Sequence, residues 1–268
     1  NRRIEMKVSF FPGCTLKNKA KDLEVYAYKS AEALGVTLEE IENWQCCGGV
    51  FTTDRNEVAT KLSSVRILKE ASSKEQPLVT VCSACHNVVK QTNYAIQNDA
   101  EFADKVNRYM AEDGGYFGEA KVYHYLEMLR DLVGFDTLKE KVKNPLTGKK
   151  IAAYYGCLLL RPNGVMKMDD PENPTIMENF IKALGAEPVV YAKRNECCGG
   201  YVSFESKDLA KKCSNDVVEN AKANGAEIII TACPLCKYNL VKHGADVKVV
   251  YFTELLAEAL GVKEDICE

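Results

Sequence analysis

Ten of the twelve cysteines in this 268-residue chain form two copies of one pattern. Each copy contains a lone cysteine, then an adjacent pair followed by two glycines, then a Cys-x-x-Cys motif. The two sets are Cys14, Cys46, Cys47, Cys82 and Cys85, and Cys157, Cys197, Cys198, Cys233 and Cys236. The interval from the pair to the Cys-x-x-Cys motif is 35 residues in both copies. The chain is therefore an internal duplication, and the repeat determines its architecture.

Each half is predicted to alternate three strands with three helices. Short apolar runs that end close to a cysteine occupy residues 7–11, 78–81, 151–155 and 228–231. Helical patterns occupy residues 56–71 and 206–224. Continuous apolar runs are typical of strands covered on both faces, and alternation with helices favours parallel sheets. We expect an α/β fold of two pseudo-symmetric β/α domains with mainly parallel sheets, with the cysteines at the carboxyl ends of the strands.

The polar, Pro- and Gly-containing stretch 143–149 is predicted to link the two halves. We therefore expect an N-terminal domain over residues 1–146 and a C-terminal domain over residues 147–268. The first half is longer after its Cys-x-x-Cys motif, and residues 99–112 predict a helical insertion there.

Composition narrows the class of protein. The net charge of −3 does not favour a nucleic-acid partner. No apolar run reaches the roughly 20 residues of a membrane span, and residues 1–11 lack the apolar core of a signal peptide. These features predict a cytoplasmic protein without a membrane span. In a reducing compartment, clustered cysteines bind metal or carry out redox chemistry more often than they form disulfides.

Five cysteines in each half exceed the four ligands of a structural zinc site. Adjacent cysteines point in different directions, which suits a cluster of several irons better than one tetrahedral ion, and soft thiolates select iron–sulfur clusters or zinc. Zinc in one half, and plain disulfides or free thiols, are the alternatives that remain open.

The ten spaced cysteines, together with the segment Tyr-Gly-Cys-Leu-Leu-Leu-Arg-Pro at residues 155–162, resemble the duplicated cysteine-rich CCG domain of the B-type subunit of heterodisulfide reductase. The resemblance covers nearly the whole chain. It implies two non-cubane [4Fe-4S] clusters, each held by the five cysteines of one half. It also implies reduction of a disulfide, of the coenzyme M–coenzyme B type or a related acceptor, by one electron from each cluster.

One position departs from that family. The methanogen form often has His directly after the lone cysteine of the second half, where this chain has Leu158. A second hypothesis is therefore an electron-relay iron–sulfur subunit, as in lactate, glycolate or glycerol-3-phosphate oxidation, and a third is a zinc-stabilised scaffold. His86, next to Cys85, is a candidate for proton delivery, and Arg161 is a candidate for contact with an anionic substrate.

The chain has no GxGxxG or Walker motif and no ferredoxin-type cysteine run, so we expect it to bind no flavin or nucleotide itself. The resemblance implies a ferredoxin-like iron–sulfur subunit and a flavin-bearing subunit as partners, with a small disulfide as substrate. Cys213 and Cys267 lie outside the repeat. Cys213 is predicted to be a buried apolar residue and Cys267 a free thiol.

Overall fold

The computed structural model of the protein describes residues 6–49, 58–244 and 247–263. It contains two four-stranded sheets, and every strand pairing within them is parallel. The first sheet comprises β1 (Met6–Phe11), β2 (Val36–Glu40), β3 (Leu78–Thr80) and β4 (Val122–His124). The second comprises β5 (Lys150–Tyr154), β6 (Glu187–Val189), β7 (Ile228–Thr231) and β8 (Lys248–Tyr251).

The two sheets share one topology. The strand order is β2-β1-β3-β4 in the first and β6-β5-β7-β8 in the second. The register is also repeated at the inner strands, because Thr80 pairs with His124 and Thr231 pairs with Tyr251. This arrangement confirms the predicted α/β fold with two pseudo-symmetric halves. Each sheet has four strands, one more than the three that were predicted for each half.

Helices flank both sheets. Those of the first half are α1 (Cys14–Asn18), α2 (Lys21–Ala33), α3 (Val58–Ser73), α4 (Ser83–Asn98), α5 (Ala100–Tyr109), α6 (Tyr125–Glu127), a π-helical turn (Met128–Val133) and α7 (Phe135–Lys141). Those of the second half are α8 (Asn163–Met166), α9 (Ile176–Ala183), a 3₁₀ turn (Val202–Phe204), α10 (Lys207–Ala223), α11 (Pro234–His243) and α12 (Phe252–Leu260). Helix α5 lies where the helical insertion was expected, and the Asp99 side chain caps its start.

The central strands are covered on both faces. Val8, Phe10 and Phe11 of β1 are fully buried, as are residues 151–154 of β5. This burial explains why the apolar runs are continuous rather than alternating. It also leaves the ends of the strands as the places where polar and thiol side chains collect.

Each half packs its last helix against the other half. Helix α12 lies along α2, and the Thr253 hydroxyl donates to the carbonyl of Leu23 at 3.1 Å. Helix α7 packs against α9 in the reciprocal contact. The ring of Phe252 lies between the halves, with centroids 5.7 Å from Tyr125 and 6.2 Å from Phe180. The two sheets are therefore joined by a shared apolar seam.

Candidate functional site

The predicted ligands lie just past the carboxyl ends of the strands. Cys14 is the first residue of α1, after β1, and Cys157 follows β5. Cys82 and Cys233 are the N-cap residues of α4 and α11. Pro234 occupies the first turn of α11, where its missing N–H is not needed. The amino-terminal ends of these helices favour negative charge, which suits thiolates.

In the first half, the structure brings all five predicted cysteines together. The sulfurs of Cys14 and Cys46 are 3.3 Å apart, and those of Cys47 and Cys85 are 3.4 Å apart. Side-chain contacts between Cys46 and Cys47, and between Cys82 and Cys85, complete the group. Cys46 is exposed, whereas Cys47, Cys82 and Cys85 are buried. This group is called the first site below.

The second half repeats this arrangement. The sulfurs of Cys198 and Cys236 are 3.5 Å apart, Cys157 contacts Cys197, and Cys233 contacts Cys236. Cys197 is exposed, as its counterpart Cys46 is. These five residues form the second site.

Two glycines allow the lone cysteines to approach the Cys-x-x-Cys turns. Gly13 precedes Cys14, and a Cβ atom on it would lie 2.8 Å from the sulfur of Cys85. Its backbone, at φ 80° and ψ 158°, is in a region that is essentially restricted to glycine. Gly156 precedes Cys157 in the same way, with φ 64° and a Cβ position 3.3 Å from the sulfur of Cys236.

Thiols and backbone amides together stabilise a thiolate in each half. Sulfhydryl groups of Cys46 and Cys85 donate to Cys47 and lower its pKa to about 4. In the second site, the Cys157 sulfhydryl lowers the pKa of Cys197 to about 6. The N–H of Gly199 also donates to the Cys197 sulfur, at 3.3 Å. Each site therefore contains a cysteine that favours the anionic form that binds metal, whereas the pKa values of the neighbouring Cys46 and Cys157 are raised.

The two sites meet at the seam. The side chains of Cys82 and Cys233 contact each other, so the first cysteine of each Cys-x-x-Cys motif touches its counterpart. Ser83 donates to the carbonyl of Ala232 through both its N–H, at 3.0 Å, and its hydroxyl, at 2.8 Å. The buried Tyr251 hydroxyl lies 3.0 Å from the same carbonyl. Contacts of the Cys-x-x-Cys turns thus cross from one half to the other.

A cavity opens at the second site. All five of its cysteines line the cavity, together with Tyr155, Leu158, Tyr201 and Ser83. Ser83 is adjacent to Cys82, so the cavity extends to the edge of the first site.

The Tyr155 hydroxyl donates to Glu178, a buried carboxyl whose pKa is raised because burial disfavours its charged form.

The donor set fits a multinuclear cluster better than one ion. Tetrahedral zinc with Zn–S bonds of about 2.3 Å has four ligands, and each site here gathers five thiols. Over residues 6–49, 58–244 and 247–263, no three His, Cys, Asp or Glu side chains are arranged to hold a single metal ion. Soft thiolates select zinc or iron–sulfur clusters, and a cluster with several irons can accommodate a fifth thiolate that one tetrahedral ion cannot.

His86 is fully buried beside the first site. Its Nδ1 atom is 3.1 Å from the Thr80 hydroxyl, and its Nε2 atom is 3.2 Å from Glu127, which also accepts a hydrogen bond from Lys90. Burial lowers the pKa of His86, although Glu127 opposes this effect. The ring nitrogens of His86 therefore face a hydroxyl and a carboxylate. The second half replaces this pair with Lys237 and Glu254, at 3.3 Å.

Arg161 is held by the loops around it. Its guanidinium donates to the carbonyls of Asn195, at 3.0 Å, and Pro171, at 3.3 Å, and it forms an ion pair with Glu172. The carbonyl of Arg161 accepts a hydrogen bond from Asn87. These contacts support a role in shaping the loop after Cys157.

Cysteines outside the repeat lie in different places from the ligands. Cys213 is half-buried rather than buried, because its position on α10 faces the Cys198-Gly199 turn, where a Gly199 Cβ would lie 3.2 Å from the Cys213 Cβ. Cys267 lies outside the described residues. Sequence reasoning missed Ser83, Asn87 and Tyr251, although aligning the two repeats would have marked each of them as differing from its counterpart.

The fold and the site define a duplicated α/β protein with a five-cysteine site at the strand ends of each half. The sequence profile of the cysteine-rich domain, CCG, matches the chain twice, over residues 8–90 and 151–241. The chain belongs to this family, as its cysteine pattern predicted.

Several curated proteins are similar over most of their length. The 8-methylmenaquinol:fumarate reductase membrane anchor subunit of Wolinella succinogenes is 32% identical, over 97% of this chain and 94% of that protein. A protein of Archaeoglobus profundus, named for its likeness to the B-type subunit of heterodisulfide reductase, is 31% identical, over 88% and 81%. The B-type subunit of the ferredoxin/F(420)H(2)-dependent CoB-CoM heterodisulfide reductase of Methanosarcina acetivorans is 29% identical, over 97% and 91%.

A crystal structure of a hypothetical protein from Helicobacter pylori shares the fold, with a TM-score of 0.73 at 10% identity. The alignment covers 96% of this chain but only 49% of that protein. In the part of the chain that the structure describes, no helix is both long and apolar enough to cross a bilayer.

Proposed function

We propose that this chain is an iron–sulfur subunit of a heterodisulfide-reductase-like oxidoreductase and that it reduces a small disulfide. The observation that carries the proposal is the pair of five-thiol sites that touch at Cys82 and Cys233. Similarity to the B-type subunits of heterodisulfide reductases supports the same function. The proposed ligands are Cys14, Cys46, Cys47, Cys82 and Cys85 for one [4Fe-4S] cluster, and Cys157, Cys197, Cys198, Cys233 and Cys236 for the other, both non-cubane.

The reaction is a two-electron reduction. The S–S bond of the substrate breaks, and each sulfur gains one electron and one proton to give two thiols. When bound, each cluster would supply one electron, which matches the one-electron chemistry of iron–sulfur centres. The electrons come from a reduced iron–sulfur or flavin partner subunit. The protons come from solvent.

The residues of this chain would hold the clusters and orient their cysteine ligands. The glycines at positions 13 and 156 leave room for the lone cysteines beside the Cys-x-x-Cys turns. Cys47 and Cys197, with their lowered pKa values, are ready to bind iron as thiolates. A cluster held by the second-site cysteines that line the cavity would lie next to Leu158 and Ser83.

His86 and Arg161 stay predicted site residues. Their contacts with Glu127 and with the carbonyls of Asn195 and Pro171 support positioning roles: His86 for the helix after Cys85, and Arg161 for the loop after Cys157. We further propose a domain boundary at residues 146/147, a cytoplasmic location, and ferredoxin-like and flavin-bearing subunits as partners.

A second candidate function is electron relay without disulfide chemistry. It is favoured by the similarity to the fumarate reductase membrane anchor subunit of Wolinella succinogenes and by Leu158 beside Cys157. The two functions differ in one observable. A disulfide reductase consumes a disulfide and releases two thiols when supplied with reduced viologen, whereas a relay subunit is reduced and reoxidised without releasing thiols.

Iron and sulfide analysis of the anaerobically purified chain tests the cofactor. Two [4Fe-4S] clusters correspond to about eight irons per chain. Zinc without iron would refute the proposal. Serine is a harder and far less acidic ligand than cysteine, so Cys46→Ser and Cys197→Ser are expected to lose iron and disulfide turnover.

Matched variants at the two cysteines outside the repeat provide the control. Cys213→Ala and Cys267→Ala are expected to keep iron content and turnover close to those of the unsubstituted chain. If Cys213→Ala lost iron as readily as Cys197→Ser, the assignment of five ligands to each site would be wrong.

A further inference from the structure

We propose that Tyr251 is a positioning residue that holds the two cluster sites at a fixed separation by fastening one Cys-x-x-Cys turn to the other. The proposal rests on the proposed function, because it concerns how the two clusters interact. It adds a residue outside the cysteine pattern and assigns it a task at the seam between the halves.

The hydroxyl of Tyr251 reaches a backbone carbonyl in each half. It lies 2.5 Å from the carbonyl of Val81 and 3.0 Å from that of Ala232. Val81 and Ala232 immediately precede Cys82 and Cys233, the first cysteines of the two Cys-x-x-Cys motifs. The single O–H proton of Tyr251 is therefore shared between the backbone carbonyls that precede one ligand of each site, with the shorter contact to Val81.

Ser83 strengthens this connection from the first half. Its N–H and hydroxyl both donate to the carbonyl of Ala232, at 3.0 and 2.8 Å. Ser83 and Tyr251 are both fully buried, so water does not compete for these hydrogen bonds. The carbonyl of Ala232 thus receives donors from both halves, and a relative shift of the halves would break them together.

The repeat symmetry is broken at these positions. The counterpart of Ser83 is Pro234, which has neither an N–H nor a hydroxyl to donate. The counterpart of Tyr251 in the strand register is His124, whose ring stacks edge-on against His86. If Tyr251 only filled the core, phenylalanine would serve equally well at this position. The hydroxyl of Tyr251 instead makes a bridge that the first half does not duplicate.

The surroundings keep this hydroxyl protonated. Burial, and the negative charge that the sulfurs of Cys82 and Cys233 carry as thiolates, raise the pKa of Tyr251 far above its ordinary value. The group therefore stays a donor and carries no charge between the two sites.

The test is Tyr251→Phe in the full chain, purified anaerobically with its clusters. The matched control is Tyr125→Phe, which removes a buried hydroxyl that donates to the carbonyl of Ala27 at 2.9 Å, away from the cysteines. Three quantities are measured: iron content, the magnetic interaction between the two reduced clusters by EPR, and disulfide turnover.

For Tyr251→Phe we expect unchanged iron, a changed EPR line splitting from the interaction between the clusters, and turnover reduced by about 10- to 100-fold, as misplacement by about 1 Å does elsewhere. Tyr125→Phe should change none of the three. Ser83→Ala removes one of the hydrogen bonds and is expected to change splitting and turnover in the same direction by a smaller factor. It serves as the deciding variant should Tyr251→Phe not fold.

Three results would overturn the inference. Wild-type splitting and turnover in Tyr251→Phe and Ser83→Ala would show that the hydrogen bonds do not set the separation. An equal effect of Tyr125→Phe would show a general packing defect. Absence of iron from the unsubstituted chain would instead refute the proposed function, and the inference would fall with it.

Discussion

Replacing Gly13 by alanine is expected to empty the first site and leave the second one filled. The backbone of Gly13 lies in a glycine-only region, and alanine there costs about 1–3 kcal/mol. The new Cβ would also lie 2.8 Å from the sulfur of Cys85, and overpacking of this kind costs about 1–3 kcal/mol more. The sum is a large part of the roughly 5–15 kcal/mol that keeps a domain folded. The chain can relieve this clash most directly by moving Cys14 away from Cys85. That movement separates two of the proposed ligands of the first site.

Gly148→Ala is the matched control for backbone strain. Gly148 has φ 81°, but no atom lies within 4 Å of the position of an added Cβ. Its substitution is expected to lower the free energy of unfolding by only about 1–2 kcal/mol and to leave the iron content unchanged. Gly156→Ala, with a Cβ position 3.3 Å from the sulfur of Cys236, should affect the second site more mildly than Gly13→Ala affects the first.

The assay combines iron analysis with urea unfolding under anaerobic conditions. Gly13→Ala should retain about four of the roughly eight irons of two [4Fe-4S] clusters, while Gly148→Ala retains all of them. Equal stability losses in the two variants, with full iron in both, would refute the argument, because the thiol contact would then have no energetic effect.

Three other outcomes follow from the site. If ten of the twelve cysteines bind iron, as proposed, a thiol reagent should detect about two thiols in the native chain and all twelve after denaturation with a chelator; a native count near twelve would exclude the ligand set. Asn87→Ala should destabilise the chain by about 1–3 kcal/mol in urea unfolding, because it leaves the half-buried carbonyls of Leu158 and Arg161, both 2.8 Å from the amide, without that donor. In iron-free protein at pH 7, iodoacetamide should modify Cys197 well before Cys46. Both cysteines are exposed, but the pKa of Cys197 is lowered to about 6 and that of Cys46 is raised. Equal modification rates by mass spectrometry would contradict this expectation.

The cysteine spacing was sufficient to predict the duplication, and the apolar runs that end near the cysteines predicted the parallel α/β halves and the thiols at the strand ends. These features can be predicted because the 35-residue step from the cysteine pair to the Cys-x-x-Cys motif occurs in both halves. Buried strands are also recognisable in the sequence as continuous apolar runs. The outer strands β2 and β6 leave a weaker signature. Their pairing with β1 and β5 decides their structure more than their own composition does.

The seam was not predictable from periodicity. The contacts of Tyr251 with Val81 and of Thr253 with Leu23 join residues 170 and 230 positions apart, and no local pattern encodes such pairs. Cys213 was expected to be buried because it falls within a helical pattern. It is half-buried, because the face of α10 that carries it borders the Gly199 turn rather than the sheet.

The reciprocal packing of α12 on α2 and of α7 on α9 has a consequence for how such a chain arises and how it can be divided. A fragment ending near residue 146 would expose the face of α2 that α12 covers, and it would also lack the α9 surface for its own last helix. A polypeptide with a single repeat would meet both needs by pairing with an identical copy in a domain-swapped dimer. The fused chain keeps that dimer geometry permanently and frees each half to change independently, as Tyr251 and His124 illustrate.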